Sequence, residues 1–112
     1  MYVRYEVPDM AEGIFGALED ILMDSDDDIT LLLRLTGYFE GKLTAPSRES
    51  LYAGGLCWFT QKGNRRFHKG IVSMVKELEA RGYHVRRRVL PTVDESYILY
   101  QDKYQAVLKP TV

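Results

Sequence analysis

Residues 56–90 read LCWFTQKGNRRFHKGIVSMVKELEARGYHVRRRVL, and this stretch predicts a strand, a helix and a second strand. The helix is expected over residues 61–81, because its apolar residues recur at the spacing of one helical face. These residues are Phe67, Ile71, Met74, Val75 and Leu78. Gly82 stands where a left-handed residue often ends a helix. The strands are predicted at 56–60 and 83–90, and the rest of the chain is expected to cover or extend this unit.

One strand and two helices are predicted ahead of this unit. Residues 2–7 alternate between apolar and polar side chains, as in a half-buried strand, and Pro8 ends them. A helix follows up to about Met23, on the spacing of Ile14, Phe15, Leu18, Ile21 and Leu22. A second helix is expected over residues 29–40, with Leu32, Leu35 and Phe39 facing inward and Leu31 and Tyr38 beside them.

The end of that second helix is left open between two interpretations. Gly37 and Gly41 are four residues apart, which is compatible with a close contact between helices. The pair Glu40-Gly41 is equally compatible with a hairpin turn, so residues 37–45 are either helix or hairpin. Residues 45–55 are predicted to form a loop.

The remaining elements complete a sheet. The strand at 56–60 is too apolar for a sheet edge, so we place it in the centre, and Thr60 can cap the helix that follows. Residues 97–101 and 104–108 flank Asp102-Lys103 and predict a closing hairpin. The chain is therefore expected to be a single α+β domain over residues 1–112. Its sheet has about five, mostly antiparallel strands with three helices, in the order β-α-α-β-α-β-β-β.

The composition is that of an ordinary globular domain. With 112 residues the chain can bury a sizeable core without a disulfide, and its one cysteine cannot form an internal disulfide. The start of the chain lacks the apolar region of a signal peptide, and the apolar runs are too short to cross a bilayer. A cytoplasmic location without membrane association is expected.

Charge is distributed unevenly along the chain. Residues 1–50 contain eleven Asp or Glu against four Lys or Arg, and residues 51–112 contain five against eleven, although the net charge is only −1. Such an asymmetry points to charged partners. The alternative is that the two halves face each other and neutralise one another inside the fold.

The acidic half contains a dense run of carboxylates at Asp24, Asp26, Asp27 and Asp28. This acidic segment can present a ridge to a basic groove of a protein partner. It can equally be a solvated turn that caps the next helix. A calcium loop is disfavoured, because Ile29 and Leu35 stand where that loop needs its glycine and its bidentate glutamate.

The basic half suggests a phosphate-binding patch. Its candidate residues are Arg65, Arg66 and Lys69 near the start of the central helix, and Arg86 and Arg88 on one face of the following strand. If the helix start and the strand face adjoin, these side chains can neutralise nucleic-acid phosphates together. The alternative is a solvated surface paired with the acidic half.

No catalytic, cofactor or metal site is predicted. Cys57 lies between Leu56 and Trp58 in an apolar strand, where a cysteine is usually an inert small hydrophobe. His68, His84 and Cys57 are too widely spaced for a zinc signature. No glycine-rich phosphate loop precedes a helix.

Three segments carry a resemblance to other proteins. They are the opening Tyr2-Val3-Arg4-Tyr5-Glu6, the strand-to-helix entry over residues 57–63, and the hairpin over residues 97–107. Together they resemble short accessory proteins carried by phages and other mobile elements of Gram-positive bacteria. Some of those proteins bind host factors, including defence nucleases such as those of CRISPR systems. The resemblance implies a non-enzymatic binding protein that inhibits or modulates a host protein or nucleoprotein, and the alternative is a nucleic-acid-binding module that uses the basic residues.

Overall fold

The computed structural model describes residues 1–8, 13–24, 30–40, 42–43 and 54–110. The strands are β1 Tyr2–Glu6, β2 Leu56–Thr60, β3 Arg86–Leu90, β4 Ile98–Gln101 and β5 Gln105–Leu108. The helices are α1 Ile14–Asp24, α2 Thr30–Glu40, α3 Gln61–Arg66 and α4 His68–Ala80, and a 3₁₀ turn covers Glu95–Tyr97. The predicted α+β class and element order are confirmed.

All five strands form one antiparallel sheet in the order β3-β1-β2-β5-β4. β2 is the middle strand, as its apolar sequence predicted. It pairs with β1 through Phe59 and Thr60, and with β5 along Leu56–Phe59. β4 and β5 form the expected closing hairpin, with β4 and β3 at the two edges.

The helices cover one face of this sheet. The predicted stripe is confirmed, because Phe67, Ile71, Met74 and Leu78 are each 1% exposed or less and Val75 packs at their edge. They pack with apolar side chains of the other two long helices and with the sheet. Those side chains are Ile14, Ala17, Leu18, Ile21, Leu35, Phe39 and Phe59. The main core therefore lies between the helices and the sheet.

The opposite face of the sheet has a smaller core of its own. Trp58, Ala106 and Leu108 are buried there, with Leu90 and Val93 packed against them. Because β3 and β4 are opposite edges of the sheet, the segment between them has to cross it, and Val93 shows that it crosses on this face. This second core was not anticipated from the sequence.

The single helix predicted over residues 61–81 is instead two helices with a break at Phe67. Hydrogen bonds nevertheless continue across the break, from the Phe67 N–H to the Gly63 carbonyl and from the Ile71 N–H to the Phe67 carbonyl. The apolar stripe therefore stays in phase on both sides of the break.

The end of α4 explains why the next strand begins at Arg86 and not at residue 83. Gly82 adopts a φ of +93°, as predicted for a left-handed helix end. The N–H of Gly82 bonds to Glu79 and that of Tyr83 bonds to Leu78, the two hydrogen bonds of a Schellman motif. Tyr83 is thus part of the helix end, and its amide is not available for a sheet.

α2 answers part of an open question and differs from expectation at Leu31. Residues 37–40 are helical, which decides the first part of the helix-or-hairpin question; Gly41 and residues 44–45 lie outside the described residues. Leu31, expected beside the buried line, is 44% exposed, whereas Tyr38 does pack against the core. Among the described residues, Gly37 has no neighbour within 4 Å of where a Cβ would stand, so it makes no close contact with a described helix. No helix in the described ranges is long and apolar enough to span a membrane.

Candidate functional site

We call α3 and α4 together the α3–α4 unit. Hydrogen bonds connect the start of this unit to the β4–β5 turn. The hydroxyl of Thr60 accepts from the Gly63 N–H at 3.1 Å, as predicted for a helix cap, and donates to the Lys103 carbonyl at 2.7 Å. The Thr60 N–H bonds to the Tyr104 carbonyl at 3.0 Å. A Cβ on Gly63 would collide with that same carbonyl, so only glycine allows this close approach. The turn residue Lys103 is thereby held beside the start of the helix.

Three aromatic rings meet at this junction. Phe67, buried at the helix break, contacts Tyr38 of α2 at 5.9 Å between ring centroids and Tyr104 of the turn at 5.2 Å, both edge-on. Gly70 permits the first contact, because a Cβ there would lie 2.7 Å from the Tyr38 ring. The rings connect α2, the α3–α4 unit and the β4–β5 turn.

Cations lie over each of these rings. The Lys42 Nζ is 3.9 Å from the centroid of Tyr38, the Arg66 guanidinium carbon is 5.5 Å from that of Phe67, and the Lys103 Nζ is 5.3 Å from that of Tyr104. Lys62, Arg65 and Lys69 extend the positive surface along α3 and α4. We call these six exposed residues the basic helix surface: Lys42, Lys62, Arg65, Arg66, Lys69 and Lys103.

No described carboxylate is paired with this surface. Within the part of the chain that the structure describes, none of the six cations forms an ion pair. Lys62 and Lys103 line an open depression of about 360 Å³ together with the carboxylate Asp102. That carboxylate is committed to the hairpin turn, where it accepts from the Tyr100 hydroxyl and from the backbone N–H groups of Tyr104 and Gln105.

The pKa of Asp102 reflects this commitment. Partial burial would raise the pKa, but the hydrogen bonds from Tyr100, Gln105 and Tyr104 outweigh burial and hold the pKa below its ordinary value. The pKa of the Tyr100 hydroxyl is raised correspondingly, mainly because it donates to this carboxylate. Asp102 is therefore ionised at neutral pH, and it places one negative charge beside Lys62 and Lys103 in the depression.

The arginines of β3 lie on the other face of the sheet. Side chains alternate along a strand, and Leu90 packs on the second core, so Arg86 and Arg88 share that face. The Arg88 guanidinium carbon is 5.3 Å from the centroid of the Trp58 ring. These two arginines therefore do not share a face with the basic helix surface.

Both arginines converge on one carboxylate, Glu6. Arg86 lies 3.1 Å from Oε1 of Glu6, Arg88 lies 3.6 Å from Oε2, and Arg4 lies 3.5 Å from Oε2. Partial burial would raise the pKa of Glu6, but the hydrogen bond from Arg86 and the charges of Arg88 and Arg4 together hold it below its ordinary value. These arginines are thus at least partly neutralised inside the fold.

Arg4 has a structural role that its sequence position did not reveal. Pairing between β1 and β2 ends at Val3, and the buried Arg4 side chain lies beside the resulting gap, donating from Nη1 to the Cys57 carbonyl at 2.7 Å. Burial lowers the pKa of this guanidinium, and the charge of Glu6 partly offsets that effect. Arg4 therefore replaces a missing backbone hydrogen bond to β2.

The predicted site residues are thus separated. Arg65, Arg66 and Lys69 lie on the helical layer, and Arg86 and Arg88 lie on the opposite face of the sheet. Lys42 and Lys103 join the first group, which sequence spacing did not suggest because both lie far from it along the chain. Asp24 is the last residue of α1, and Asp26, Asp27 and Asp28 lie outside the described residues, so the acidic segment remains a prediction.

The cysteine and the two histidines weighed as a zinc set lie on separate elements. Cys57 is half-buried in β2, whereas His68 and His84 are exposed on α4 and after it. Within the described ranges, no three His, Cys, Asp or Glu side chains are grouped closely enough to hold a metal ion.

Comparisons with protein families, curated proteins and solved structures found no match to this chain. Function is therefore argued from the charge and geometry of the described side chains. The feature that stands out among them is the basic helix surface.

Proposed function

We propose that this chain is a small binding protein that docks, by charge and without covalent chemistry, on the nucleic acid of a host nucleoprotein. The observation that supports this is the basic helix surface, in which six exposed cations from three parts of the fold lie together without an ion pair among the described residues. Nucleic-acid phosphates suit such a surface, because binding releases the counterions that are condensed on the nucleic acid.

The alternative, a surface that is merely solvated, is less favoured by the arrangement of charges. Solvated surfaces usually intersperse both signs, and this chain has a net charge of only −1 with sixteen acidic residues available. Like charges about 10 Å apart in water repel by about 0.4 kcal/mol per pair. The fold nevertheless brings Lys42 and Lys103 to the cations of α3, which adds to this repulsion.

The proposal is tested by removing three cations from the surface. We expect the variant Arg65→Ala/Arg66→Ala/Lys69→Ala to bind a labelled nucleic acid at least roughly tenfold more weakly than the unaltered protein at low salt, because three phosphate contacts are lost. Fluorescence anisotropy measures this change.

A matched control removes the same charge elsewhere. Lys76, Arg87 and Lys109 are exposed, and their triple alanine variant is expected to retain most of the affinity. The proposal is wrong if the unaltered protein does not bind nucleic acid at micromolar concentration in low salt. It is equally wrong if the control variant loses as much affinity as the surface variant.

A second candidate function is binding to a host protein through the acidic segment, as the resemblance to phage accessory proteins implies. One observation favours it: large apolar side chains flank this segment and are exposed, with Met23 at 84%, Leu31 at 44% and Leu33 at 54%. Exposed apolar groups beside charged ones are typical of protein interfaces. The partner would then be an inhibited or modulated host factor with a basic groove, and charge reversal of the segment tests this.

A further inference from the structure

We infer that the basic helix surface binds the phosphates of a double-stranded nucleic acid in preference to a single strand. The inference rests on the proposed function and names its substrate class. The inference depends on the aromatic rings at this surface, because unpaired bases bind proteins largely by stacking on such rings.

Proteins that bind single strands stack successive bases on open aromatic faces. The rings of this surface do not offer such faces. Phe67 is fully buried, and Tyr38 and Tyr104 are half-buried with their contacts already made to Phe67. Lys42 and Lys103 lie over the rings of Tyr38 and Tyr104. A base would have to displace these cations before it could stack.

One more ring lies near the surface, in the depression between Lys62 and Lys103. This ring belongs to Tyr2, which packs against the small core on the far face of the sheet. Its hydroxyl donates to Gln101 at 2.8 Å. Tyr2 is therefore also engaged within the protein, through its hydroxyl and through the small core.

The surface instead presents cations held in place by the fold. Lys42, Arg66 and Lys103 come from different parts of the chain, and each lies over a ring, which restricts its position without neutralising its charge. A duplex matches this, because it carries one charge per roughly 1.7 Å of axis on two rigid backbones. A single strand has a lower charge density and, without stacking, gains little to offset its loss of flexibility.

Contacts of this kind carry no direct information about base identity. On α3, the Asn64 oxygen already accepts from the Tyr5 hydroxyl at 2.7 Å, so the bidentate contact of an asparagine with adenine is blocked. The exposed Arg65 and Arg66 are assigned to phosphates in this inference. We therefore expect duplexes of unrelated sequence to bind with similar affinity.

The test compares a short labelled DNA duplex with each of its separated strands, using the unaltered full chain and fluorescence anisotropy. We expect the duplex to bind at least roughly tenfold more tightly than either strand at about 50 mM salt. The logarithm of its binding constant should fall linearly with the logarithm of salt concentration up to about 200 mM. A duplex RNA of the same sequence distinguishes the two sources of a double-stranded backbone, and tighter binding of either duplex than of its strands supports the inference.

A second variant ties the result to this geometry. Lys42→Ala/Lys103→Ala removes the two cations that only the fold brings to the helix start, and it should make the salt slope shallower by about 2. Circular dichroism checks that the variant is folded. An unchanged slope in the folded variant would overturn the assignment of these lysines to the binding surface.

These outcomes distinguish the inferred preference for duplexes from the proposed nucleic-acid binding on which it rests. Single strands that bind as tightly as the duplex would overturn the inference but leave a nucleic-acid-binding function standing. Failure of the duplexes and of the strands to bind would overturn both. A strong preference among unrelated duplex sequences would overturn the assignment to phosphates alone.

Discussion

At the scale of single residues, Glu6 is the carboxylate that balances the charge of three arginines at the far face of the sheet. It is the shared partner of Arg4, Arg86 and Arg88, and Arg4 is only 4% exposed. A buried guanidinium that loses its counter-charge is costly, because the charge has been removed from water. The stability of this region should therefore depend on the ionisation of Glu6.

Glu6→Gln should lower the free energy of unfolding at pH 7 by about 1–3 kcal/mol, since the amide cannot balance the buried arginine. The folded-state pKa of Glu6 lies below its ordinary value of 4.5. Its ionised form therefore stabilises the fold above about pH 4.5, and that contribution disappears as the pH falls through the lower folded-state value. Urea unfolding at pH 7 and near pH 3 measures the difference.

The control for this prediction is Glu79→Gln, which changes an exposed carboxylate on α4. It should alter the free energy of unfolding by less than about 0.5 kcal/mol. The account of Glu6 would be contradicted if the difference between Glu6→Gln and the unaltered protein were the same at both pH values.

At the scale of elements, two glycines determine how the α3–α4 unit meets its neighbours. Gly63 allows the backbone of Tyr104 to approach, and Gly70 allows the ring of Tyr38 to do so. They are seven residues apart, so both lie on nearly the same side of the helical unit. These contacts bring α2 and the β4–β5 turn, with their lysines, to one surface.

Gly70→Ala should destabilise the protein, although alanine is the better helix former. The added methyl would lie 2.7 Å from the Tyr38 ring and 3.2 Å from that of Phe39, and such overpacking typically costs about 1–3 kcal/mol. The gain in helix propensity is at most about 1 kcal/mol. Thermal unfolding followed by circular dichroism measures the net effect.

Gly37→Ala is the matched comparison, because Gly37 lies inside α2 with no atom within 4 Å of the added methyl. It should stabilise the protein by about 0.5–1 kcal/mol. Opposite signs for the two substitutions support the assigned contacts. Stabilisation by Gly70→Ala as well would show that Tyr38 does not pack against α4.

These glycines show what local spacing can and cannot predict. The pair Gly37 and Gly41 suggested a close contact by its interval alone, yet no described atom lies within 4 Å of where a Gly37 Cβ would stand. Gly63 and Gly70 make the close contacts. An interval indicates that residues share a side of a helix, but only the neighbouring elements decide whether something lies against that side.

At the scale of the whole molecule, the two charged halves neutralise each other only in part within the described residues. Glu6 of the acidic half pairs with Arg86 and Arg88 of the basic half. The basic helix surface, by contrast, forms no ion pair there. Among the described residues, unpaired positive charge is therefore concentrated on the helical side of the molecule.

The second candidate function predicts that the acidic segment also binds a partner. Asp26→Lys/Asp28→Lys should weaken capture of a purified host protein by the chain, and the loss should be larger at low salt, because the attraction is electrostatic. Affinity for duplex nucleic acid should not fall in this variant. Pull-down and anisotropy measurements on the same preparations check both expectations.

The matched variant for this test is Glu79→Lys/Glu95→Lys, which changes the net charge equally at exposed positions elsewhere. Protein capture that survives the change at Asp26 and Asp28, or that is lost equally in both variants, would remove the second candidate.

Patterns in the chain were enough to predict the class of fold, the order of its elements and the central place of β2. They also predicted the cap at Thr60, the left-handed end at Gly82 and the buried stripe of the central helix. These features depend on interactions between residues close in the chain, or on apolar periodicity that reports burial directly.

Only the tertiary structure decided which cations share a surface. Strand order and alternation place Arg86 and Arg88 on the far face of the sheet with Glu6. The close approach at Gly63 brings Lys103 to the start of α3, and the one at Gly70 brings Tyr38, with Lys42 over its ring, to the first turn of α4. Long charged side chains carry no periodic signal of their neighbours. Their grouping follows from contacts between elements distant in the chain, and no local pattern encodes those contacts.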